Sequence, residues 1–344
     1  MSNLEDAFKK IEKTYGRGTI RYLKDSEPIS ENLLSTGSLL IDSALGGGIG
    51  YGRIIELYGV ESSGKSTLCL HLAAECQKTG GKVAYVDVEQ ACDLDYAKKL
   101  GVNVDELIFT QPSSAEQALE IVDILAKTGE INLIIVDSVA ALCPQAELDG
   151  EMSDMTIGLL ARLMSKALRK ITATLNQSNC AVVFVNQIRE KISTGWAPMG
   201  DTTTTTGGRA LKFFASQRIE LKKTQAIKNG DEVIGAKVRV KIVKNKISAP
   251  MKVVEVPMIF GKGFDASSEV LDLALQYDIC KKSGAWFTTH DGVRAQGRSG
   301  IEKYYNEHPD KYEELRNIIV SKIKNKEVVA ETVFEVDPTT GEVI

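Results

Sequence analysis

The sequence predicts an α/β protein with a mostly parallel central sheet, an N-terminal helical arm and a small C-terminal α+β domain. The first observation is that segments typical of strands and of helices alternate between about residues 30 and 260. The second is that several strand segments, such as LIIV at 133–136 and AVVFV at 181–185, are apolar throughout. Strands without alternation are typical of a parallel sheet covered by helices on both faces. The chain has 344 residues, a length that suggests two folded units.

A short amphipathic helix is predicted at the start of the chain, because Leu4, Phe8, Ile11 and Tyr15 recur at helical spacing. A glycine-containing linker follows, and we assign residues 1–30 to this helix and linker. Since the helix precedes the main strand–helix pattern, we expect it to dock on its own core or on a neighbouring subunit.

The central unit, residues 31–262, is predicted to alternate strands and helices and then to end in three charged strands. The alternating part is ordered as strand 53–59, helix 66–80, strand 82–89, helix 114–129, strand 131–138, helix 158–178 and strand 180–187. The segments with alternating charged residues are 217–225, 236–246 and 252–260. We expect these three strands to extend the sheet in antiparallel fashion along a more exposed edge.

After Gly263 the pattern changes, and residues 263–326 are predicted to form the small α+β domain. Two helical segments flank a short strand-like segment, AWFTTHDGVRAQ at 285–296. The remaining residues, 327–344, are polar and acidic, so we expect this tail to be disordered.

Composition excludes membrane, disulfide-rich and zinc-binding classes of protein. Hydrophobic residues make up 43% of the chain, but its apolar runs are too short to cross a bilayer. The first residues, MSNLEDAFKK, carry mixed charge and lack the apolar region of a signal peptide. The six cysteines show neither CxxC spacing nor a metal-type pairing with the three histidines. We therefore expect a cytoplasmic protein with reduced cysteines and no membrane partner.

The charge of the chain is unevenly distributed. The net charge is −4, but residues 186–252 contain 14 basic and 5 acidic residues, a local balance of +9. A basic block inside an acidic chain is compatible with binding to a polyanion such as a nucleic acid. The alternative is a solvated sheet edge lined with lysines, which discourages edge-to-edge aggregation.

A phosphate-binding motif stands between a predicted strand and a predicted helix. Residues 59–66, GVESSGKS, fit the pattern GxxxxGK followed by Ser or Thr. In such a loop, backbone amides at a helix N-terminus surround the phosphates of a nucleotide. Lys65 is predicted to reach the β- and γ-phosphates, and Ser66 is predicted to bind Mg²⁺. The predicted nucleotide-binding residues of this motif are Gly59, Val60, Glu61, Ser62, Ser63, Gly64, Lys65 and Ser66.

Three further polar residues end predicted strands at the edge where such folds bind their ligands. Asp137, after the apolar run INLIIV, is the candidate acidic ligand of Mg²⁺. Glu89 is the candidate base that activates water for hydrolysis, and the alternative is a solvated carboxylate at a strand end. Gln187 stands where a strand meets a long polar segment, so it could sense the γ-phosphate and pass the signal on.

The sequence resembles the bacterial RecA recombinases over nearly its whole length. The segments that carry the resemblance are, in order, STGSLLIDSALGGGIGYGRIIELYGVESSGKST, YVDVEQACDLDYAKKLGV, LIIVDSVAAL, VFVNQIREKI, TTGGRALKFFAS and VKNKISAP. The resemblance implies a RecA-type P-loop ATPase that uses ATP and Mg²⁺, polymerises on single-stranded DNA and pairs it with a homologous duplex. It also implies roles in DNA repair and in the SOS response, through stimulated self-cleavage of a LexA-type repressor.

The resemblance gives roles to further residues of the nucleotide site. Thr67 resembles part of the phosphate- and magnesium-binding end of the loop. Asp93 and Tyr96 match positions that hold the adenine, and Tyr96 has a flat face for stacking. Glu89 resembles the catalytic carboxylate of the family, and Gln187 resembles its γ-phosphate sensor.

Three residues resemble family positions at the contact between neighbouring subunits. Lys244 and Lys246 match lysines that reach the ATP of the adjacent subunit. Phe213 matches an aromatic residue of that interface. The resemblance thus implies an active site that is completed by self-association into a helical filament.

Two segments match the family loops that hold DNA, one around 150–162 and the other from about 189 to 208. Their basic side chains can contact phosphates, while Ile192 and Trp196 can stack on bases or wedge between them. The alternative role of Trp196 is a hydrophobic anchor for the loop. The predicted DNA-binding residues are Arg162, Arg189, Lys191, Ile192, Trp196, Gly207, Gly208 and Arg209.

Two rival interpretations remain open at this point. One is a ring-forming RecA-like motor or a RadA-type repair ATPase, although the sequence shows no N-terminal cysteine zinc module of the RadA type. The other is a nucleotide-gated scaffold without hydrolysis, in which Glu89 is not catalytic. Val60 and Arg209 depart from the family pattern, where a proline and an uncharged amide are usual.

Overall fold

The computed structural model describes residues 3–16, 19, 20, 22, 32–151, 158–190, 203–264 and 266–325. The acidic tail at 327–344 and the polar segment 191–202 lie outside these residues. In the described part of the chain, no helix is long and apolar enough to cross a membrane. The six cysteines are all free, and four of them are buried.

The described helices and strands follow the predicted alternation. The helices are α1 (Asn3–Tyr15), α2 (Leu39–Leu45), α3 (Lys65–Lys78), α4 (Leu94–Lys99), α5 (Ala115–Lys127), α6 (Gln145–Leu148), α7 (Leu159–Leu175), α8 (Ala210–Phe214), α9 (Ala266–Gln276), α10 (Gly297–Glu307) and α11 (Pro309–Lys324). The first strands are β1 (Leu33–Leu34), β2 (Ile49–Gly50), β3 (Ile54–Gly59), β4 (Lys82–Asp87), β5 (Ile108–Thr110), β6 (Ile131–Asp137), β7 (Ala181–Glu190) and β8 (Thr203–Thr205). The later strands are β9 (Gln217–Asn229), β10 (Glu232–Asn245), β11 (Val253–Ile259), β12 (Gly263–Phe264), β13 (Lys281–Ser283), β14 (Trp286–Thr288) and β15 (Arg294–Gln296).

The central sheet is mixed and mostly parallel, which confirms the predicted fold class. From one edge to the other its strands run β12, β11, β10, β9, β3, β7, β6, β4 and β5, and β8 pairs with β7 outside this order. Neighbours from β9 to β5 are parallel, whereas neighbours from β12 to β9 are antiparallel. The register sets Gly59 opposite Gln187 and Asp87 opposite Asp137. The parallel strands therefore bring these polar residues to one edge, as the sequence pattern requires.

The charged strands are antiparallel to one another, but the expected exposed edge is wrong for two of them. β9 pairs with both β3 and β10, and β10 pairs with both β9 and β11, so both are interior strands. Their charge alternates because Val238, Val240 and Ile242 enter the core, while Lys237 on the opposite face is exposed. Alternation marks a sheet with one exposed face, and it does not distinguish such a face from an edge.

Two apolar layers cover the two faces of the central sheet. One layer joins α2 and α3 to the sheet through residues such as Ile41 and Leu68. The other joins α5 and α7 to the opposite face through residues such as Val122 and Leu168. Helices α9, α10 and α11 contribute to the first layer, for example through Ile301, and β13, β14 and β15 form a separate antiparallel sheet. The bounds of the separate domains stay predictions.

Candidate functional site

The loop between β3 and α3 forms a turn that its own polar atoms close. Ser63 Oγ donates to the Val60 carbonyl oxygen at 2.8 Å, and Lys65 Nζ donates to the same oxygen at 2.7 Å. Lys65 is 8% exposed, so burial lowers the pKa of its ammonium, and the carboxylates of Asp137 and Glu89 oppose that shift. The turn therefore holds the side chain of Lys65 at the loop, where the motif predicts that phosphates bind.

Close backbone approach explains two glycines of this loop. A Cβ on Gly59 would lie 2.1 Å from the carbonyl oxygen of Leu221 on β9. Gly64 has a φ of +94°, and a Cβ there would lie 2.8 Å from Met258 Sδ. A side chain at Gly59 would collide with the backbone of β9, and the left-handed φ of Gly64 favours glycine, so each position has its own reason for this residue.

The predicted magnesium ligands lie together at the ends of α3 and β6. Ser66 Oγ donates to Asp137 Oδ2 at 2.8 Å, and Tyr85 Oη donates to the same oxygen at 2.8 Å. Burial raises the pKa of Asp137, and its hydrogen bonds with Tyr85 and Ser66 oppose that shift. A hydroxyl and a carboxylate are ligands that Mg²⁺ accepts, so the pair fits the predicted ion. Among the described residues, no cluster of three or more His, Cys, Asp or Glu side chains is placed to hold a metal ion.

Glu89 lies beside the end of β6 and faces the predicted sensor. Gln187 Nε2 donates to Glu89 Oε1 at 3.2 Å, and the Ser138 hydroxyl donates to the same oxygen. The backbone amides of Val88 and Glu89 both donate to the carbonyl of Asp137, at 2.7 and 3.2 Å. The structure thus brings together the carboxylate and the amide that the sequence analysis named. Ser138 was given no role there, and its only sequence signal is its position directly after Asp137.

Asp87 fixes the turn that carries Glu89, and sequence reasoning missed it. Its carboxylate accepts from the backbone amides of Ala91 and Cys92, at 3.2 and 3.3 Å, and from Gln111 Nε2 at 3.1 Å. Asp87 is buried at the end of β4. The sequence signal for Asp87 is an acidic residue at the end of an apolar strand. Its hydrogen-bond partners are identified only from the folded structure.

Of the two predicted adenine residues, Tyr96 borders a cavity of about 320 Å³, and Asp93 is not among the residues that line it. Asp93 caps α4 by accepting from the amides of Asp95 and Tyr96, and Tyr96 Oη lies 3.1 Å from Thr67 Oγ1. The segment 258–261 supplies the opposite wall of the cavity. Sequence reasoning missed this segment, because only the sheet topology brings it to the loop. The cavity is lined by Ser62, Ser63, Gly64, Lys65, Ser66, Thr67, Tyr96, Met258, Ile259, Phe260 and Gly261.

Lys244 and Lys246 are not brought to the phosphate loop of their own chain. The ladder sets Lys244 opposite Arg218, and Arg218 opposite Glu56, near the middle of β3 and before the loop. Lys244 Nζ instead donates to the carbonyls of residues 212 and 213, at 2.9 and 3.0 Å. Lys246 is exposed beyond the end of β10. Their contact with a nucleotide of another subunit stays a prediction.

The described part of the two predicted DNA-binding segments converges near α7. Arg162, Arg189 and Arg209 are exposed. A Cβ on Gly208 would lie 2.8 Å from the Cβ of Ala161, the neighbour of Arg162, so the two segments touch there. A Cβ on Gly207 would likewise lie 2.9 Å from Val139 Cγ1. Three predicted residues lie outside the described residues: Lys191, Ile192 and Trp196.

Comparison with known proteins gives consistent results for most of the chain. The RecA N-terminal domain family matches residues 2–265, and the RecA C-terminal domain family matches residues 268–324. A protein RecA from Lactiplantibacillus pentosus is 49% identical over 314 residues, which cover 91% of this chain and 82% of the relative. A protein RecA from Rickettsia massiliae is 50% identical over 317 residues, covering 92% of each chain.

A solved structure supports the fold alone. The crystal structure of the RadB recombinase superposes with a TM-score of 0.50 at 23% identity, covering 67% of this chain and 98% of that one. The sequence relatives carry the assignment, because they are far more similar and span most of both chains. The resemblance stated from the sequence is thereby confirmed: the chain belongs to the RecA family, whose members are P-loop proteins of DNA recombination and repair.

Proposed function

We propose that this chain is a DNA-dependent ATPase that assembles as a helical filament on single-stranded DNA and catalyses homologous pairing and strand exchange. The observation that carries the proposal is the edge where β3, β4, β6 and β7 end. There a phosphate loop, the Ser66–Asp137 pair and the Glu89–Gln187 pair lie together within one chain.

The residues at this edge suit hydrolysis of a nucleoside triphosphate. Glu89 is exposed enough to receive a proton from water, and Ser138 and Gln187 donate hydrogen bonds that fix one of its oxygens. Lys65 supplies a positive charge beside the phosphate loop. Ser66 and Asp137 would hold Mg²⁺, which neutralises charge on phosphate oxygens when it is bound.

The position of Gln187 supports a link between ATP and DNA. Its side chain contacts Glu89, and its strand, β7, continues directly into the second predicted DNA-binding segment. The basic balance of residues 186–252 suits a polyanionic ligand. We further propose duplex DNA as the second substrate and a LexA-type repressor as a partner, as the resemblance to the RecA recombinases implies. We propose the cytoplasm as the compartment, as the cysteine pattern predicts.

Turnover and assembly can be measured together. ATP turnover would be followed with and without single-stranded DNA, and the assemblies would be imaged by electron microscopy. Open helical filaments with DNA-stimulated turnover support the proposal. Closed rings would instead favour a ring-forming motor, and filaments without turnover would favour a nucleotide-gated scaffold.

A further inference from the structure

A buried carboxylate outside the nucleotide site joins three strands of the central sheet. Glu56, on β3, is fully buried at 0% exposure. Its Oε2 accepts from Arg218 Nε on β9 at 2.5 Å, and its Oε1 accepts from Asn186 Nδ2 on β7 at 3.2 Å. Burying a charge costs free energy unless the charge is paired. The hydrogen bonds from Arg218 and Asn186 therefore stabilise the buried carboxylate of Glu56.

Asn186 extends this network to the residue that follows β8. Its Nδ2 also donates to the Thr206 carbonyl at 3.1 Å, and its Oδ1 accepts from the amide of Gln187 at 2.9 Å. β8 itself pairs with β7, with Thr205 opposite Ile188. One amide side chain therefore ties the point where the second predicted DNA-binding segment ends to the backbone of the predicted sensor.

Arg218 connects the same carboxylate to the predicted subunit interface. Its guanidinium lies 4.7 Å from the centroid of the Tyr58 ring, and the ladder sets it opposite Lys244. Burial lowers the pKa of Lys244, and the charges of Lys246 and Arg218 act in the same direction, whereas Glu56 opposes it. Glu56 thus partly neutralises a crowded group of cations.

The segment held by Asn186 also contains unsatisfied polar groups. The hydroxyls of Thr205 and Thr206 are buried, and neither has a hydrogen-bond partner among the residues that the structure describes. Asn186 instead holds the backbone at this point, through the carbonyl of Thr206.

We propose that Glu56 and Asn186 are positioning residues that transmit the state of residues 203–208, the described end of the second predicted DNA-binding segment, to Gln187. Glu56 orients the amide of Asn186, and this amide holds the Thr206 carbonyl and the Gln187 backbone at once. Gln187 in turn contacts Glu89. This inference rests on the proposed DNA-stimulated ATPase, since its consequence is a link between DNA and turnover.

The main test replaces the amide by an apolar side chain of similar size. We expect Asn186→Leu to lower the stimulation of turnover by single-stranded DNA about tenfold, a typical coupling between sites. Turnover without DNA and the KM for ATP should change less than about twofold. We expect Glu56→Gln, which removes the charge facing Arg218, to lower the stimulation in the same direction. Wild-type stimulation in the folded variants would overturn the proposal.

A matched control separates this role from general loss of stability. Gln217→Met also replaces a fully buried amide, which donates to the Gly48 carbonyl at 3.1 Å and accepts from the Gly50 amide at 3.0 Å. We expect this variant to keep wild-type stimulation, and an equal loss would overturn the specific role of Asn186. If Asn186→Leu does not fold, Asn186→Ala removes the same groups and leaves room for water.

Hydrogen exchange tests the contact without DNA. We expect the amides of residues 203–208 to exchange faster in Asn186→Leu than in the wild type, while those of Gln217→Met stay unchanged. Unchanged exchange in Asn186→Leu would overturn the proposal. Absence of DNA stimulation in the wild type would instead contradict the proposed function, and the exchange result would still decide whether Asn186 holds this segment.

Discussion

Two regions that carry predicted catalytic residues differ in the hydrogen-bond partners and the exposure of their side chains. At the edge formed by β3, β4, β6 and β7, functional groups contact one another, as in the Ser66–Asp137 and Glu89–Gln187 pairs. At the end of β10, Lys244 binds backbone carbonyls of its own chain and Lys246 is exposed. Phe213, nearby in the fold, is 72% exposed. The first region is assembled by one chain, whereas the second leaves Lys246 and the ring of Phe213 exposed, and their contact with another subunit stays a prediction.

The largest effect is expected at the phosphate loop. Lys65→Ala removes the cationic side chain of the loop, so ATP turnover with single-stranded DNA should fall at least about a thousandfold. Lys78→Ala is the control, because Lys78 lies on the same helix but is exposed and pairs with Glu75 at 2.6 Å. Near-wild-type turnover in Lys65→Ala would show that this edge is not the ATPase site.

The second largest effect is expected for Glu89→Gln, which distinguishes hydrolysis of ATP from binding of ATP at the same edge. Glu89→Gln keeps the shape of the side chain but removes the base, so turnover should fall about a hundredfold or more. ATP and DNA affinity, measured by fluorescence titration, should change little. A loss of nucleotide binding instead would mean that Glu89 supports the structure of the site.

The two regions also differ in how far the sequence could predict them. The phosphate loop is a local motif, and Asp137 and Glu89 follow apolar strands, so the parallel topology places them with no further information. The segment 258–261 was missed because its partners are distant in sequence and adjacent only in the folded sheet. Asp87 was missed although the amides of Ala91 and Cys92 are close in sequence, because the pattern does not show that the chain turns back onto its carboxylate. The charge pattern around Lys244 predicts an exposed edge, but the exposed face of an interior strand gives the same alternation.

A mixing experiment tests whether the second region completes the first across subunits. Glu89→Gln inactivates the subunit that contributes the phosphate loop to an interface. The double variant Lys244→Ala, Lys246→Ala inactivates the subunit that contributes the lysines. In an equal random mixture, about a quarter of head-to-tail interfaces combine an intact loop with intact lysines. DNA-dependent turnover should therefore reappear at about a quarter of the wild-type value, although each variant alone is inactive.

The control for mixing is co-assembly on DNA, observed by electron microscopy with one variant labelled. If the two variants share filaments and turnover stays absent at every ratio, the lysines do not act across the interface. Lys244 and Lys246 would then have no role in the nucleotide site of another subunit. The two regions would differ only in how exposed their side chains are.

The smallest expected effect distinguishes the two lysines from each other. Lys244 Nζ donates to the carbonyls of Lys212 and Phe213, at 2.9 and 3.0 Å, whereas Lys246 is exposed. Since Lys244 is only partly buried, Lys244→Ala should lower the free energy of unfolding by about 1 kcal/mol, the scale of one hydrogen bond. Lys246→Ala should change it by less than about 0.5 kcal/mol, as is usual for an exposed residue. Urea denaturation measures both values, and equal values would mean that the contacts of Lys244 with α8 contribute nothing to the stability of the isolated chain.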